Sequence, residues 1–146
     1  MYLVSACLAG IHCRYNGTHT ADQVIQKLVR EGKAIPICPE VIGGLPTPRA
    51  ASEIIIDKEG NRKVVSKDGQ DLTNEFTKGA EKTLAIAKTL GVKKAILQSR
   101  SPSCGYGLIY DGSFSGKFKE GNRITAELLV KNGIEVYTYT NKYILV

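Results

Sequence analysis

An α/β fold with a mainly parallel sheet flanked by helices is what this sequence predicts, and three observations lead to it. Short apolar runs at Tyr2-Leu3-Val4-Ser5-Ala6, Ala34-Ile35-Pro36-Ile37, Lys94-Ala95-Ile96-Leu97-Gln98 and Ile134-Glu135-Val136-Tyr137-Thr138-Tyr139 read as strands, most of them buried. Helix-period stretches alternate with them. The first two runs and the helix between them span about the ~30 residues of a parallel strand-helix-strand crossover. At 146 residues the chain has the length of one domain, and at ~150 residues about 70% of the unfolded surface is buried on folding. The expectation is a single Rossmann-like domain over residues 1–146, with a β-hairpin insertion near residues 52–67.

The elements follow in order. After the first run, Thr20 with Gln23 three residues on reads as a capping box opening a helix, with Val24, Ile25, Leu28 and Val29 on its apolar face and Gly32 as its stop. The second run ends at Cys38. Residues 52–67, SEIIIDKEGNRKVVSK, read as two short strands around Glu59-Gly60-Asn61, which interrupts the parallel pattern. A long helix is expected from Asp71 to Leu90, its buried face formed by Leu72, Phe76, Ala80, Leu84, Ala87 and Leu90, and Gly91 caps it. The third run follows, and the loop after it carries Cys104. A last helix is expected from Asn122 to Asn132, stopped by Gly133, before the final run.

The chain carries 20 Lys and Arg against 14 Asp and Glu, a formal net charge of +6. These basic residues are scattered, with no run longer than two and no aromatic RNA-binding signature, so they read as a solvated basic surface and argue against a nucleic-acid partner. No stretch approaches the ~20 apolar residues of a membrane span, and the N-terminus MYLVSACLAG lacks the basic region and cleavage site of a signal peptide. The expectation is a cytoplasmic protein with no membrane partner. In a reducing compartment its four cysteines, Cys7, Cys13, Cys38 and Cys104, point to metal ligation, catalysis or inert burial rather than disulfides.

In an open parallel sheet, ligands bind beyond the carboxyl ends of the strands. Cys7, Cys38 and Cys104 each follow a different expected strand, so if those strands are neighbours the three thiols meet at one rim. Buried cysteine is common on its own, but three at corresponding strand ends, each followed by turn residues, suggest a site. Cys13 sits in a loop with Arg14 and Tyr15 and reads equally well as a nonfunctional thiol. Structural zinc favours closely spaced ligand pairs, which are missing here. A 4Fe-4S cluster takes soft thiolates, and three of them hold it with one iron left open. His12 and His19 are possible fourth ligands, although lone loop histidines are usually solvated side chains.

Glu40 lies two residues after Cys38 in ICPEVIGGLPTPR, where it can act as general base or proton donor beside a metal, or be only a loop carboxylate. Arg49, fixed after Pro48, can clamp a substrate carbonyl or anion, or form a salt bridge to Glu53 or elsewhere. Ser101 and Ser103 can hydrogen-bond cluster sulfide or a substrate heteroatom, or cap loop amides. Asp111 in the YDG loop is the next candidate base after Glu40.

Taken in order, SACLAG with CRYNG, CPEVIGGLPTPR, and SPSCGYGLIYDGSFSG resemble the bacterial thiouracil desulfurase-like family, formerly a domain of unknown function. The likeness runs from Val4 to Val136. It implies a 4Fe-4S cluster held by Cys7, Cys38 and Cys104. It also implies that the uncoordinated iron takes the sulfur of a thiolated small molecule such as 2-thiouracil, or another thiolated nucleobase, so that water replaces it without net redox chemistry.

Two other readings compete. A noncatalytic cluster or metal-binding redox sensor or electron carrier gains from a fully ligated cluster, for which Cys13 is the available fourth thiol. A cysteine-nucleophile enzyme would use Cys104 beside Arg100, with Cys7 and Cys38 merely buried, but no histidine stands close in sequence as its base.

Overall fold

The computed structural model describes residues 1–99, 103–104, 106–110, 113–114, 118–139 and 143–145. Ser101, Arg100 and Asp111 lie outside the described residues. Four runs form parallel strands: β1 (Tyr2–Ser5), β2 (Ala34–Ile37), β5 (Lys94–Gln98) and β8 (Glu135–Tyr139). The sheet order is β2-β1-β5-β8, extended by an antiparallel strand β9 (Tyr143–Leu145) beyond β8. Strands after which Cys7, Cys38 and Cys104 emerge are therefore neighbours, with β1 in the middle.

Alternation along the strands sends side chains to both faces. Leu3, Leu97 and Val136 pack on one side with Ala87 of α3 (Thr73–Leu90) and with Ala126 and Leu129 of α4 (Ile124–Lys131). Val4 and Ile96 pack on the other, against Ile25 of α1 (Gln23–Arg30). Both faces being covered explains why the central strands show continuous apolar runs. The described residues contain no helix long and apolar enough to cross a membrane.

The hairpin lies where expected, as β3 (Ser52–Ile56) paired antiparallel with β4 (Arg62–Ser66). Its turn is held by the Asp57 carboxylate, which accepts from the amides of Glu59 at 2.9 Å and Asn61 at 2.8 Å, while Gly60 takes a left-handed φ of 83°. A second antiparallel hairpin, β6 (Tyr106–Tyr110) with β7 (Phe118–Asn122), was not expected.

Two helix starts and two side-chain burials differ from expectation. The cap of α1 is Asp22, whose Oδ1 accepts the Ile25 amide at 3.0 Å, and not Thr20. An Asp three residues before a free first-turn amide is an equally good acceptor, and Thr20 is used at the site instead. Val24 and Leu90, expected on buried faces, are 55% and 45% exposed, each in a terminal turn of its helix. The last helix starts at Ile124, since Asn122 ends β7.

A short helix α2 (Pro39–Ile42) follows directly on Cys38 and packs against α3 with almost no space between the backbones. A Cβ added at Gly79 of α3 would lie 2.0 Å from the Pro39 carbonyl oxygen, and one at Gly43 would lie 2.2 Å from that of Glu75. These two glycines set how deeply the Cys38–Glu40 segment seats. Gly to Ala inside an exposed helix ordinarily stabilises by roughly 0.5–1 kcal/mol. Gly79→Ala is expected to do the opposite, lowering stability by about 1–3 kcal/mol through overpacking, read as a fall in the urea midpoint at unchanged slope. A rise in that midpoint would show that the two helices can part at no cost.

Candidate active site

One cavity of about 590 Å³ opens at the carboxyl ends of β2, β1 and β5, and its wall includes Cys7, Cys13, Cys38 and Cys104 together with Glu40, Arg49 and Ser103. Each thiol has its own support. Cys7 lies in a 3-10 turn (Ala6–Ala9) that leaves β1, and Gly10 closes this turn with φ 91°. Cys38 is the residue before Pro39, which starts α2 with its φ already suited to a helix. Cys104 sits in a loop pinned by α4: the Ser103 carbonyl accepts the amides of Thr125 at 3.0 Å and Ala126 at 3.2 Å. These are first-turn donors that no side-chain cap satisfies.

The thiols differ in electrostatics. Cys13 hydrogen-bonds to both Cys38 and Cys7, and as the donor to them its own thiol is held far above the ordinary range. The same contact brings Cys38 down to about 7, against burial, with further help from the nearby Val41 amide and the Arg49 charge. Val41 approaches without the geometry of a full capping bond. Cys7 is lowered by its bond from Cys13, then by Thr20 and by the charge of Arg14, while burial opposes them. Burial pushes Cys104 up to about 12 despite hydrogen bonds from Ser5 and Ser103. Two of the thiols thus shift toward the thiolate that binds soft metals.

Beside them Glu40 and Arg49 form a buried ion pair, Nε to Oε1 at 3.1 Å, with side chains only 11% and 6% exposed. The second Glu40 oxygen accepts the Ser103 hydroxyl at 3.1 Å, and that hydroxyl lies 3.6 Å from Cys104 Sγ. Arg49 also donates to the carbonyls of Pro46 at 3.1 Å and Cys13 at 3.0 Å and to Thr47 Oγ1 at 3.0 Å. Four of its five N–H groups are therefore committed. Its partner is Glu40 and not Glu53, although Glu53 also lines the cavity.

Sequence reasoning missed several wall residues. Thr20 hydrogen-bonds the Cys7 thiol and donates to Gln98 Oε1 at 3.3 Å. Tyr139 at the end of β8 also reaches the cavity, its hydroxyl 3.0 Å from Asp22 Oδ2. The only signal available was position, since both follow or end a predicted element at the same rim. His12 and His19 stack edge to face, 4.6 Å apart, and neither lines the cavity.

A sequence model of a family described as 2-thiouracil desulfurase matches residues 2–141. The chain is 49% identical over 141 residues to YbbK of Bacillus subtilis (strain 168), described as an uncharacterized protein, with 93% of each chain covered. Among solved structures, a 4Fe-4S-dependent thiouracil desulfidase, TudS, superposes with a TM-score of 0.84 at 42% identity, covering 94% of this chain and 89% of that one. With a family match along nearly its full length and a close structural likeness in the same fold, this chain belongs to the 2-thiouracil desulfurase family of enzymes.

Proposed function

We propose that the protein is a 4Fe-4S-dependent desulfurase that hydrolyses the thiocarbonyl of a small molecule such as 2-thiouracil, with Cys7, Cys38 and Cys104 as cluster ligands. The observation that carries this reading is the meeting of thiols from three neighbouring strands with a buried, ion-paired carboxylate in one cavity. The donor set fits the group. Thiols suit a soft iron centre, and among the described residues no three His, Cys, Asp or Glu crowd closely enough to hold a single metal ion. A cubane asks for less crowding, because each of its ligands meets a different iron. Held by Cys7, Cys38 and Cys104, the cluster would supply a soft Lewis acid toward the thiocarbonyl sulfur.

The chain's own side chains supply the rest. Glu40, with its carboxylate oriented by Arg49 at one oxygen and Ser103 at the other, takes a proton from the attacking water. Arg49 offers its remaining N–H to the substrate carbonyl, and Ser103 moves between Glu40 and a substrate heteroatom. Ser101 is proposed to hydrogen-bond the same substrate, while enclosure of the cavity keeps bulk water from competing. The test is anaerobic reconstitution with iron and sulfide counts, a visible spectrum, and sulfide release from a panel of thiolated pyrimidines. A protein that stays colourless and iron-free, or a loaded one that releases no sulfide from any of them, rejects this function.

The Cys13 thiol touches two of the three proposed ligands, which favours the fully ligated electron carrier as the second reading. Cys13→Ser separates the two. On the desulfurase reading it keeps its iron content and spectrum within about a fifth of wild type, since three thiolates suffice. Loss as complete as that of the other cysteine variants would favour the carrier.

A further inference from the structure

We propose that Cys13 is a resolving thiol which, in the cluster-free protein, forms a reversible disulfide with Cys38 under peroxide and so shields the ligand set from irreversible oxidation. The proposal takes the three-thiol ligation above as its setting, but it is read out without any cluster.

Three features place the reaction at this pair. The Cys13 side chain is in hydrogen-bond contact with that of Cys38, and Cys38 Sγ also lies 3.8 Å from the Cys13 carbonyl oxygen. Cys38 is the half-buried member of the four, whereas Cys7, Cys13 and Cys104 are buried, so a small oxidant in the cavity meets it first. Cys104 bonds to Ser5 and Ser103 and not to Cys13, which leaves it outside the exchange. The loop carrying Cys13 is itself tied over the strand ends, through Ile11 N to the Ala6 carbonyl at 3.2 Å and Arg49 N to the Tyr15 carbonyl at 2.7 Å. Cys13 is thus held beside the ligands without needing to be one.

The chemistry balances with a peroxide as the oxidant. Hydrogen peroxide converts the Cys38 thiol to a sulfenic acid as its O–O bond breaks, releasing one water. The Cys13 sulfur then attacks the sulfenic sulfur, the S–S bond forms, and the sulfenic oxygen leaves as a second water with the Cys13 proton. Two thiols have lost two electrons and two protons, which a dithiol reductant returns. Without a resolving thiol, further peroxide carries Cys38 on to the sulfinic acid, which ordinary thiols do not reverse.

The test treats cluster-free full-length protein with hydrogen peroxide and maps its cysteines by tandem mass spectrometry. Trypsin leaves Cys7 and Cys13 on one peptide, ending at Arg14, and Cys38 on another, from Ala34 to Arg49. Fragment ions must therefore assign the partner. Wild type is expected to give the Cys13–Cys38 cross-link, and after dithiothreitol and anaerobic reconstitution to regain its iron. Cys13→Ser, checked for fold by circular dichroism and repeated as Cys13→Ala, should instead gain about 32 Da at Cys38 and recover at least about threefold less iron. A dominant link from Cys7, or equal sulfinic acid at Cys38 with and without Cys13, overturns the proposal. Failure of untreated wild type to take up iron would count against the proposed function alone, since the cross-link map is read without metal.

Discussion

Serine at position 7, 38 or 104 is expected to remove the cluster, leaving anaerobically reconstituted protein with less than about a tenth of the wild-type iron and visible absorbance. A hydroxyl is a poor ligand for a soft iron centre, and with three protein ligands the loss of any one leaves two. The fold survives each change. Replacing a buried thiol by a hydroxyl costs roughly 1–3 kcal/mol, less than the 5–15 kcal/mol typical of a domain, and far-ultraviolet circular dichroism checks this. The placement of Cys13 makes the comparison sharper. It lies against Cys7 and Cys38 but not against Cys104, so Cys104→Ser has no neighbouring thiol to replace it. Full iron retention in Cys104→Ser would remove the three-ligand model outright.

The rim where the thiols meet was legible because it depends on local pattern plus one topological rule. YLVS, AIPI, KAILQ and EVYTY are strands covered on both faces, and such strands show themselves by apolar content alone. Their neighbouring order was only a condition of the sequence reading, since residues 38–93 separate β2 from β5, and the sheet order β2-β1-β5 meets it. Strand β7 had no such signal: FKEGN alternates no apolar residues, and its pairing with β6 is a tertiary fact. Thr20 was misread for a related reason. The spacing to Gln23 matches a capping box, yet Asp22 lies closer to the first helical turn and takes the cap.

What could not be read was which side chains meet across loops. The Glu40–Arg49 pair spans nine residues with a Gly-Gly and two prolines between, whereas the sequence pointed Arg49 to a substrate clamp or to a salt bridge with Glu53 or elsewhere. The outcome turns on the PTPR segment crossing the Cys13–Tyr15 loop, where the Arg49 amide meets the Tyr15 carbonyl. The contacts of Cys13 were hidden on the same account. Six residues past Cys7 and in no strand, it gave no sign that its loop turns back and brings the thiol against Cys38, 25 residues onward.

Glu40→Gln should leave the cluster loaded and the fold intact while lowering turnover of a thiocarbonyl substrate by about 10²-fold or more, the usual scale for a general acid or base. The amide keeps the size of the side chain and an oxygen for the Arg49 Nε–H, but it cannot take a proton from the attacking water. Its structural cost is bounded. Loss of a charged hydrogen bond costs roughly 1.5–3 kcal/mol, and Arg49 retains its acceptors at Pro46, Thr47 and Cys13. Arg49→Lys is the control for orientation. A lysine keeps the positive charge but not the fork that holds Glu40 Oε1 while gripping the two loops, so its turnover should fall with Glu40 chemically intact. Rates must be compared at matched iron content, so that ligand loss is not mistaken for base loss. Wild-type turnover in Glu40→Gln at that matched loading would move the base elsewhere, with Asp111 the next residue to test, and would leave the ligand assignment standing.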